Sequence, residues 1–413
     1  MRLRVAVIDE ELPFPADSGK RLRTMNLLTR LSHRHDITFI TYNSTDETVL
    51  RKAEEYWRGY GVNVVLLKDI VPVKSGLAFY GRLAANLVSP LPYSVQVHNR
   101  QSLRNYIKER TGDGSFDMWH CEWTPFAESC LDVVREPWLV MAHNVESLIW
   151  QRMYETESQP LKRWYIKQQW KKYVRFEKRA YSQTPMLVTV SENDAALAKQ
   201  DFGASSVRVV DNGVDPDYFH PNTGSRHAAR VPHRLLFLGS LDWRPNVDAI
   251  KLLLDEVFPA IKKQIPLAEL QIVGRRPGAE LVERVKSAAG VTIHSDVPDV
   301  RPFLWECGTM IVPLRIGGGS RLKILEALAT SCPVVSTAIG AEGLNLKHGH
   351  ELMIAYSTNE LIAMTVSAIE QPQDIQRLAD AGRETVCRNY AWDSLAVKLE
   401  KIWSETVSLD KKN

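Results

Sequence analysis

The sequence is poor in the features that mark secreted, metal-binding and membrane-spanning proteins. Its 413 residues contain only five cysteines, none of them in a C-x-x-C pair. A disulfide framework or a cysteine zinc site is therefore not expected, and a reducing compartment is the simpler setting. No run reaches the roughly 18–20 apolar residues of a membrane span, and the start, "MRLRVAVIDEELPFP", has too short an apolar stretch for a signal peptide. We expect a cytoplasmic protein, associated at most with the inner face of a membrane.

A strong charge of one sign is missing as well. The formal net charge is +3, which gives no indication of a nucleic-acid partner. One local exception is the stretch 161–179, "LKRWYIKQQWKKYVRFEKR", with eight cations, one acid and five aromatic residues. Trp and Tyr beside Lys and Arg suit an anionic membrane surface. A solvated helix whose aromatic residues pack inward is the alternative that the sequence leaves open.

What the chain does have is an alternation of short β-branched runs with amphipathic helical patterns. "RVAVIDE" precedes a helical pattern, and near residue 234 the alternation begins again with "RLLFLGS". This order predicts an α/β protein with two doubly wound, Rossmann-like parallel-sheet domains, and two domains are also the default for this length. We expect domains at 1–222 and 234–388, a polar linker at 223–233, and a C-terminal helix, 389–413, that packs back toward the first domain.

Ligands of open parallel sheets bind beyond the carboxyl ends of the strands. The stretch "RIGGGSRLKILEALAT", 315–330, places three glycines between a predicted strand and a predicted helix. Gly317, Gly318 and Gly319 would let the backbone approach an anion, and Ser320 is a natural N-cap for the helix. A plain turn is the alternative for the glycines alone, since the spacing is neither a Walker loop nor G-x-G-x-x-G.

Further charged residues lie in the same predicted helix. Arg321 and Lys323 add positive charge at its start. Glu326 follows the cap at about 9 Å along the helix axis, a suitable distance from a bound phosphate to a ribose. A solvated helix position is the plainer interpretation of Glu326.

Polar residues also follow strands of the first domain. His143 and Asn144 come after "WLVMA", and His120 and Glu122 lie in "DMWHCEWTPF". Such groups could hold sugar hydroxyls or act as a base toward an alcohol, although a lone histidine is more often a satisfied polar residue. Gly19, after the first strand, would allow close approach of an acceptor or a diphosphate. The D-x-D at 215–217 lies in a turn-rich stretch, so no metal site is expected there.

Taken together, "GGGSRLKILEALATSCPVVST", "GAEGL" (340–344) and "VRVVDNGVDPDYFHP" (207–221) resemble the retaining glycosyltransferases of family 4. The resemblance spans nearly the whole chain and implies the GT-B fold, in which an acceptor-binding domain and a donor-binding domain face a central cleft. It implies metal-independent transfer, without a cofactor, of a sugar from a nucleoside diphosphate sugar. The implied acceptor is a glycan or a lipid-linked molecule in surface polysaccharide or glycolipid synthesis.

The resemblance also implies roles for single residues of the donor domain. Glu326 matches the second of two family glutamates, which holds the ribose hydroxyls, whereas the first falls on Gly318, a departure from the pattern. The loop that opens at Gly239 often carries an Arg and a Lys in the family. Here Ser240 takes the Arg position, and Arg244 lies near the Lys position. We therefore expect Arg244, Arg321 and Lys323 to bind the diphosphate together.

In the acceptor domain, a family histidine near 120–123 meets the donor sugar, and the alignment leaves open whether His120 or Glu122 takes that place. Two other functions remain open at this point. A nucleotide-sugar epimerase could use the same architecture without an acceptor. A non-catalytic protein that binds a nucleotide sugar is the third hypothesis, kept open by the missing first glutamate.

Overall fold

The structure, a computed structural model, describes residues 1–16, 18–44, 46–222, 230–316 and 321–410. It divides into two compact units, Met1–Asp211 with Leu395–Asn413, and Asn212–Ser394. The chain therefore leaves the first unit earlier than predicted, because 212–222 belong to the second. The predicted linker is also shorter at its far end, where a strand already begins at Val231, and 223–229 lie outside the described residues.

The first unit is built on a seven-stranded sheet in the order β3-β2-β1-β4-β5-β6-β7, with all neighbouring strands parallel. The strands are β1 (Arg4–Ile8), β2 (Asp36–Asn43), β3 (Asn63–Ile70), β4 (Met118–Cys121), β5 (Trp138–Ala142), β6 (Met186–Thr189) and β7 (Val207–Val209). All five residues of β5 are buried. Helices cover both faces of such a sheet, so its central strands are apolar without alternation.

The helices of this unit cover the sheet and carry the loops that follow each strand. They are α1 (Gly19–Ser32), α2 (Glu47–Gly59), α3 (Gly76–Asn86), α4 (Tyr93–His98), α5 (Gln101–Arg110), α6 (Ala127–Cys130), α7 (Glu146–Thr156), α8 (Pro160–Gln183) and α9 (Glu192–Gln200). A short 3-10 turn, Thr124–Phe126, precedes α6. The predicted basic stretch 161–179 therefore lies within one long helix, α8.

The second unit repeats the architecture with six parallel strands in the order β10-β9-β8-β11-β12-β13. The strands are β8 (Val231–Leu238), β9 (Glu269–Gly274), β10 (Val291–Ser295), β11 (Cys307–Val312), β12 (Val334–Thr337) and β13 (Met353–Ala355). The helices are α10 (Arg244–Leu252), which continues as a π-helical turn (Leu253–Val257), α11 (Phe258–Gln264), α12 (Ala279–Lys286), α13 (Arg301–Glu306), α14 (Leu322–Ala329), α15 (Thr358–Glu370) and α16 (Pro372–Asn389).

The last helix, α17 (Trp392–Asp410), returns the chain to the first unit from Leu395 onward. It has an apolar stripe that is buried at every position: Trp392, Leu395, Leu399 and Trp403. Within the first unit, Arg208 pairs with Glu405, and Trp403 Nε1 donates a hydrogen bond to His120 Nδ1 at 3.2 Å. None of the described helices is both long and apolar enough to cross a membrane.

Each sheet has one place where consecutive connections turn in opposite directions. In the first unit this switch point lies between β1 and β4, and in the second between β8 and β11. Loops diverge there beyond the carboxyl ends of the strands and leave a crevice, which is where open α/β sheets bind ligands. The residues that follow these four strands are therefore the first candidates for a functional site.

Candidate functional site

At the switch point of the second unit, one lysine joins the two helices that follow β8 and β11. Lys323, in the first turn of α14, donates from Nζ to Asn246 Oδ1 at 3.0 Å. Asn246, in the first turn of α10, donates in turn to the backbone oxygen of Ser240 at 2.8 Å. Two helix starts, whose partial positive charge favours anions, are thus held at the same crevice.

Gly239 is what allows this lysine to lie against the end of β8. A Cβ atom at this position would stand 2.8 Å from Lys323 Nζ and 2.8 Å from Asn246 Nδ2. Any other residue would have to displace one of the two side chains. The lysine ammonium also lies 4.8 Å from the centre of the Phe237 ring. The predicted importance of Gly239 therefore has a steric basis, although the loop it opens carries no Lys or Arg before Arg244.

Lys323 and Glu326 are both half-buried. The pKa of each is shifted in the direction that favours its neutral form. Burial, together with the nearby Arg321, lowers the pKa of Lys323 to about 7. Burial raises the pKa of Glu326 to about 7 as well, against the pull of Lys323. Within the described part of the chain, no carboxylate pairs with Lys323 and no donor binds the Glu326 carboxylate. The site therefore offers a cation and an acceptor to an incoming ligand.

The other residues predicted to bind the sugar donor differ in their exposure and in their contacts. Arg244 is exposed and is the first residue of α10. Arg321 is the N-cap residue of α14, and its guanidinium donates to the backbone and side-chain oxygens of Glu342, both at 3.3 Å. The helix thus begins one residue later than an N-cap at Ser320 predicts. Gly317, Gly318, Gly319 and Ser320 themselves lie outside the described residues.

A cavity of about 820 Å³ in this unit lies at the opposite edge of the sheet. It is lined by residues at the amino ends of the strands, among them Pro232, Gly308 and Pro333. That edge holds neither the switch point nor the starts of α10 and α14. Size alone therefore does not mark the functional site of this unit.

The switch point of the first unit is organised around the carboxylate of Glu122, directly after β4. The residue is 1% exposed. Its Oε2 lies 2.8 Å from His120 Nε2, and its Oε1 accepts a hydrogen bond of 2.8 Å from Thr24 Oγ1. His143 Nε2 lies 3.2 Å from Oε1 and 2.8 Å from the backbone oxygen of Glu122. The two predicted histidines therefore converge on one predicted carboxylate.

The hydrogen bonds determine where the histidine protons are. Trp403 donates to His120 Nδ1, so the ring proton of a neutral His120 sits on Nε2, the atom that lies 2.8 Å from Glu122 Oε2. His120 is completely buried. Burial alone would raise the pKa of Glu122, but His120 and His143 hold it well below its ordinary value. Burial lowers the pKa of His143 despite this carboxylate. Glu122 is therefore a fixed negative charge that orients His143.

A second buried ion pair at this switch point was missed from the sequence. Lys20, in the first turn of α1, donates from Nζ to Asp9 Oδ1 at 2.6 Å and to Glu10 Oε1 at 3.1 Å. The ammonium lies 4.9 Å from the centre of the Trp123 ring. Burial raises the pKa of Asp9 to about 7, against the pull of Lys20. The available signal was the position of Asp9 directly after β1, the same signal that singled out His143 after β5.

The remaining predicted residues of this unit lie at the same edge. Gly19 is the first residue of α1, behind the N-cap Ser18, whose Oγ accepts from Arg21 N at 3.3 Å. Asn144 follows His143 and is half-buried. A cavity of about 210 Å³ lies beyond the carboxyl ends of β1 to β3, lined in part by Glu10, Arg21, Tyr42 and Asn43. In the described part of the chain, no group of three or more His, Cys, Asp or Glu side chains could hold a metal ion.

Comparison with known proteins adds a family to this geometry. The family described as "Glycosyltransferase Family 4" matches residues 19–218, and the one described as "Glycosyl transferases group 1" matches residues 232–371. Sucrose-phosphate synthase from Thermosynechococcus elongatus superposes with a TM-score of 0.69 at 16% identity, over 99% of this chain and 100% of its own. The chain belongs to the family 4 glycosyltransferases, and its two Rossmann-like units have the GT-B fold.

Individual relatives of known sequence share about a quarter of their aligned residues with this chain. A Klebsiella pneumoniae protein described as an "Uncharacterized 44.6 kDa protein in cps region" is 24% identical over 366 residues, 85% of this chain and 87% of its own. A GDP-mannose-dependent alpha-(1-6)-phosphatidylinositol monomannoside mannosyltransferase from Mycobacterium tuberculosis is 26% identical over 242 residues, 52% of this chain. That match spans 60% of the mannosyltransferase, less than two thirds of its length.

The role of Glu122 leads to a stability prediction. A carboxyl group whose pKa is depressed in the folded state stabilises that state above its unfolded pKa of about 4.3, and the stabilisation is lost as the pH falls. Glu122→Gln should therefore lower the free energy of unfolding at neutral pH by about 1.5–3 kcal/mol for each charged hydrogen bond lost. The difference from wild type should be constant down to about pH 5 and should shrink progressively as the pH falls below about 4.3.

Urea unfolding of the two proteins at several pH values measures this difference. The exposed Glu109→Gln is the matched control and should behave as wild type. A penalty for Glu122→Gln that stays the same at every pH would contradict the assignment of a buried negative charge.

Proposed function

We propose that the protein transfers a sugar, with retention of the anomeric configuration, from a nucleoside diphosphate sugar to a glycan or lipid-linked acceptor. The single observation that carries the proposal is Lys323. Its ammonium lies at the crevice between β8 and β11, beside the first turns of α10 and α14, and its pKa is lowered to about 7. A diphosphate would supply the negative charge that this position favours.

The proposed diphosphate site uses cations and helix starts in place of a metal. Lys323 and Arg244 are the side chains proposed to bind the phosphates, together with the backbone of 317–320. Arg321 is held by Glu342, so its proposed part is to fix the loop after β12 against the start of α14. Positive charge placed where the leaving diphosphate develops its own charge stabilises the transition state.

The proposed ribose site is Glu326, one turn further along α14 than Lys323. Its carboxylate is half-buried, burial raises its pKa to about 7, and no donor among the described residues binds it. Two ribose hydroxyls would supply the missing donors. The departure at Gly318 leaves the contacts to the transferred sugar to other groups, with the backbone of 318–320 as the proposed substitute.

In the first unit, we assign His143 and Asn144 to the sugar or to the acceptor alcohol, because both are only partly buried at the end of β5. Which of His120 and Glu122 meets the donor sugar stays a prediction. Their burial supports a positioning role in which they hold His143. Gly19 and the cavity of about 210 Å³ beyond β1 to β3 are the proposed acceptor side.

The proposed chemistry needs no protein nucleophile. The bond from the anomeric carbon to the diphosphate oxygen breaks, and a bond to the acceptor oxygen forms on the same face of the sugar. The acceptor proton passes to an oxygen of the leaving phosphate. The chain then contributes orientation and electrostatic stabilisation, two major sources of rate enhancement in enzymes.

The names of the relatives support the substrate class. One relative is encoded in a cps region, and another uses GDP-mannose and a phosphatidylinositol mannoside. We therefore propose a role in surface polysaccharide or glycolipid synthesis at the cytoplasmic face of a membrane. No observation favours the epimerase or the non-catalytic binding protein over this function.

A ribose contact at Glu326 is tested by comparing two ligands. Glu326→Ala should weaken binding of a nucleoside diphosphate by about 1.5–3 kcal/mol for each charged hydrogen bond lost. It should leave binding of inorganic pyrophosphate nearly unchanged, because pyrophosphate has no ribose. Thermal shifts with UDP, GDP, ADP and TDP select the nucleotide, and calorimetry gives both affinities. Glu283→Ala, on the exposed face of α12, is the control. Equal affinities of Glu326→Ala and wild type for the nucleotide would remove Glu326 from the site.

The diphosphate contact at Lys323 is tested by proton uptake. At about pH 8 most of a lysine with a pKa near 7 is neutral. A bound diphosphate favours the ammonium form and raises that pKa, so binding should take up as much as about one proton. Calorimetry in two buffers with different ionisation enthalpies measures the uptake. It should disappear in Lys323→Met and persist in Lys251→Met, a partly exposed position on α10. Uptake that persists in Lys323→Met would assign the proton to another group.

A further inference from the structure

Helix α3 exposes apolar side chains to an unusual degree. Leu77 is 90% exposed and Tyr80 is 66% exposed, and the flanking Val73 and Val88 are 62% and 92% exposed. Asn86 is the only residue of the helix that is buried. Soluble proteins rarely leave neighbouring large apolar side chains in water without a partner for them.

This helix is nevertheless tied firmly to the fold. Asn86, at its last turn, accepts a hydrogen bond of 2.8 Å from Gln169 Nε2 of α8 and donates to the backbone oxygen of Leu91 at 3.0 Å. Lys172 of α8 donates to the Asn86 backbone oxygen at 2.5 Å. The buried Lys172 thus serves the connection of α8 to α3, and the exposed apolar residues sit on a fixed support.

The charges around α3 have one sign. The sequence has no acidic residue between Asp69 and Glu109. In α8 the only acid is Glu177, which is buried and accepts hydrogen bonds from the backbone N–H groups of Glu146 and Ser147. The residues of α8 itself therefore contribute no negative charge to its outer face.

The same outer face carries cations and further apolar residues. Lys171, Arg175 and Lys178 are exposed and form no ion pair with any residue that the structure describes. At the start of α8, Leu161 is 80% exposed and Trp164 is 49% exposed. By contrast, Lys162 and Arg179 are ion-paired with Glu157 and Glu128. The basic stretch predicted from the sequence thus reduces to a smaller set of unpaired cations beside exposed apolar side chains.

We infer that α3 and the outer face of α8 form a docking surface for an anionic lipid bilayer. The docking surface consists of Val73, Leu77, Tyr80, Val88, Leu161 and Trp164 with the cations Lys171, Arg175 and Lys178. Apolar and aromatic side chains enter the interface, and lysines and arginines bind anionic headgroups. The docking surface itself is argued from exposure and charge. Only its purpose, access to a lipid-linked acceptor, rests on the proposed function.

The test uses the full chain and vesicles of defined composition, without substrate. Wild type should bind vesicles of one part phosphatidylglycerol to two parts phosphatidylcholine, and bind weakly to phosphatidylcholine alone or at high salt. Two double variants, Leu77→Ser with Tyr80→Ser and Lys171→Glu with Arg175→Glu, should each lower vesicle binding at least about tenfold. Val397→Ser, and Lys52→Glu with Lys199→Glu, are matched exposed controls and should bind as wild type.

Three results would overturn the inference: no binding of wild type to anionic vesicles, undiminished binding of both double variants, or a wild-type dimer in solution that Leu77→Ser with Tyr80→Ser dissociates. Nucleoside diphosphate affinity, measured on the same variants, separates this failure from failure of the proposed function. Normal nucleotide binding without docking rejects only the docking surface. Docking without any nucleotide binding rejects only the proposed function.

Discussion

Every strand of a parallel sheet delivers its following loop to the same edge, and this constraint decides where polar groups collect in the chain. At the two switch points the loops also diverge, so side chains from distant parts of the sequence meet there. Lys323 reaches Asn246 across the crevice between β8 and β11. At the corresponding place between β1 and β4, the Glu122 carboxylate contacts Thr24 and His143. The chemistry proposed for the protein follows from this shared edge.

The two units handle charge at this edge in different ways. The first unit compensates its buried charges internally, Glu122 with two histidines and Asp9 with Lys20. The second brings Lys323 and Glu326 to pKa values of about 7, and no residue that the structure describes is a strong partner for either. A half-buried charge without a partner destabilises the folded chain, and a ligand that supplies the partner recovers that free energy on binding. This difference favours the second unit as the place where a charged donor binds.

The alternation of strands and helices was sufficient to predict the fold class, because continuous β-branched runs and an apolar period of 3.6 residues report burial directly. It was not sufficient where distant segments meet. Arg321 was predicted to bind a diphosphate, and nothing in the sequence indicated that Glu342 from the loop after β12 contacts its guanidinium. The ion pair of Lys20 was not predicted, because the spacing of residues along the sequence does not show that the first turn of α1 lies against Asp9. The crossing after Asp211 was placed too late because β7 has only three residues, and Val214 bridges to Ala391 in the second unit. The exposure of α3 depends on what fails to pack on it, which composition does not reveal.

The most direct test of the central claim is a crystal structure of the protein with a bound nucleoside diphosphate sugar. The account predicts pyrophosphate oxygens within about 2.7–3.2 Å of Lys323 Nζ, at the starts of α10 and α14, and ribose hydroxyls on Glu326. A pyrophosphate bound elsewhere, with Lys323 still bonded only to Asn246, would contradict it.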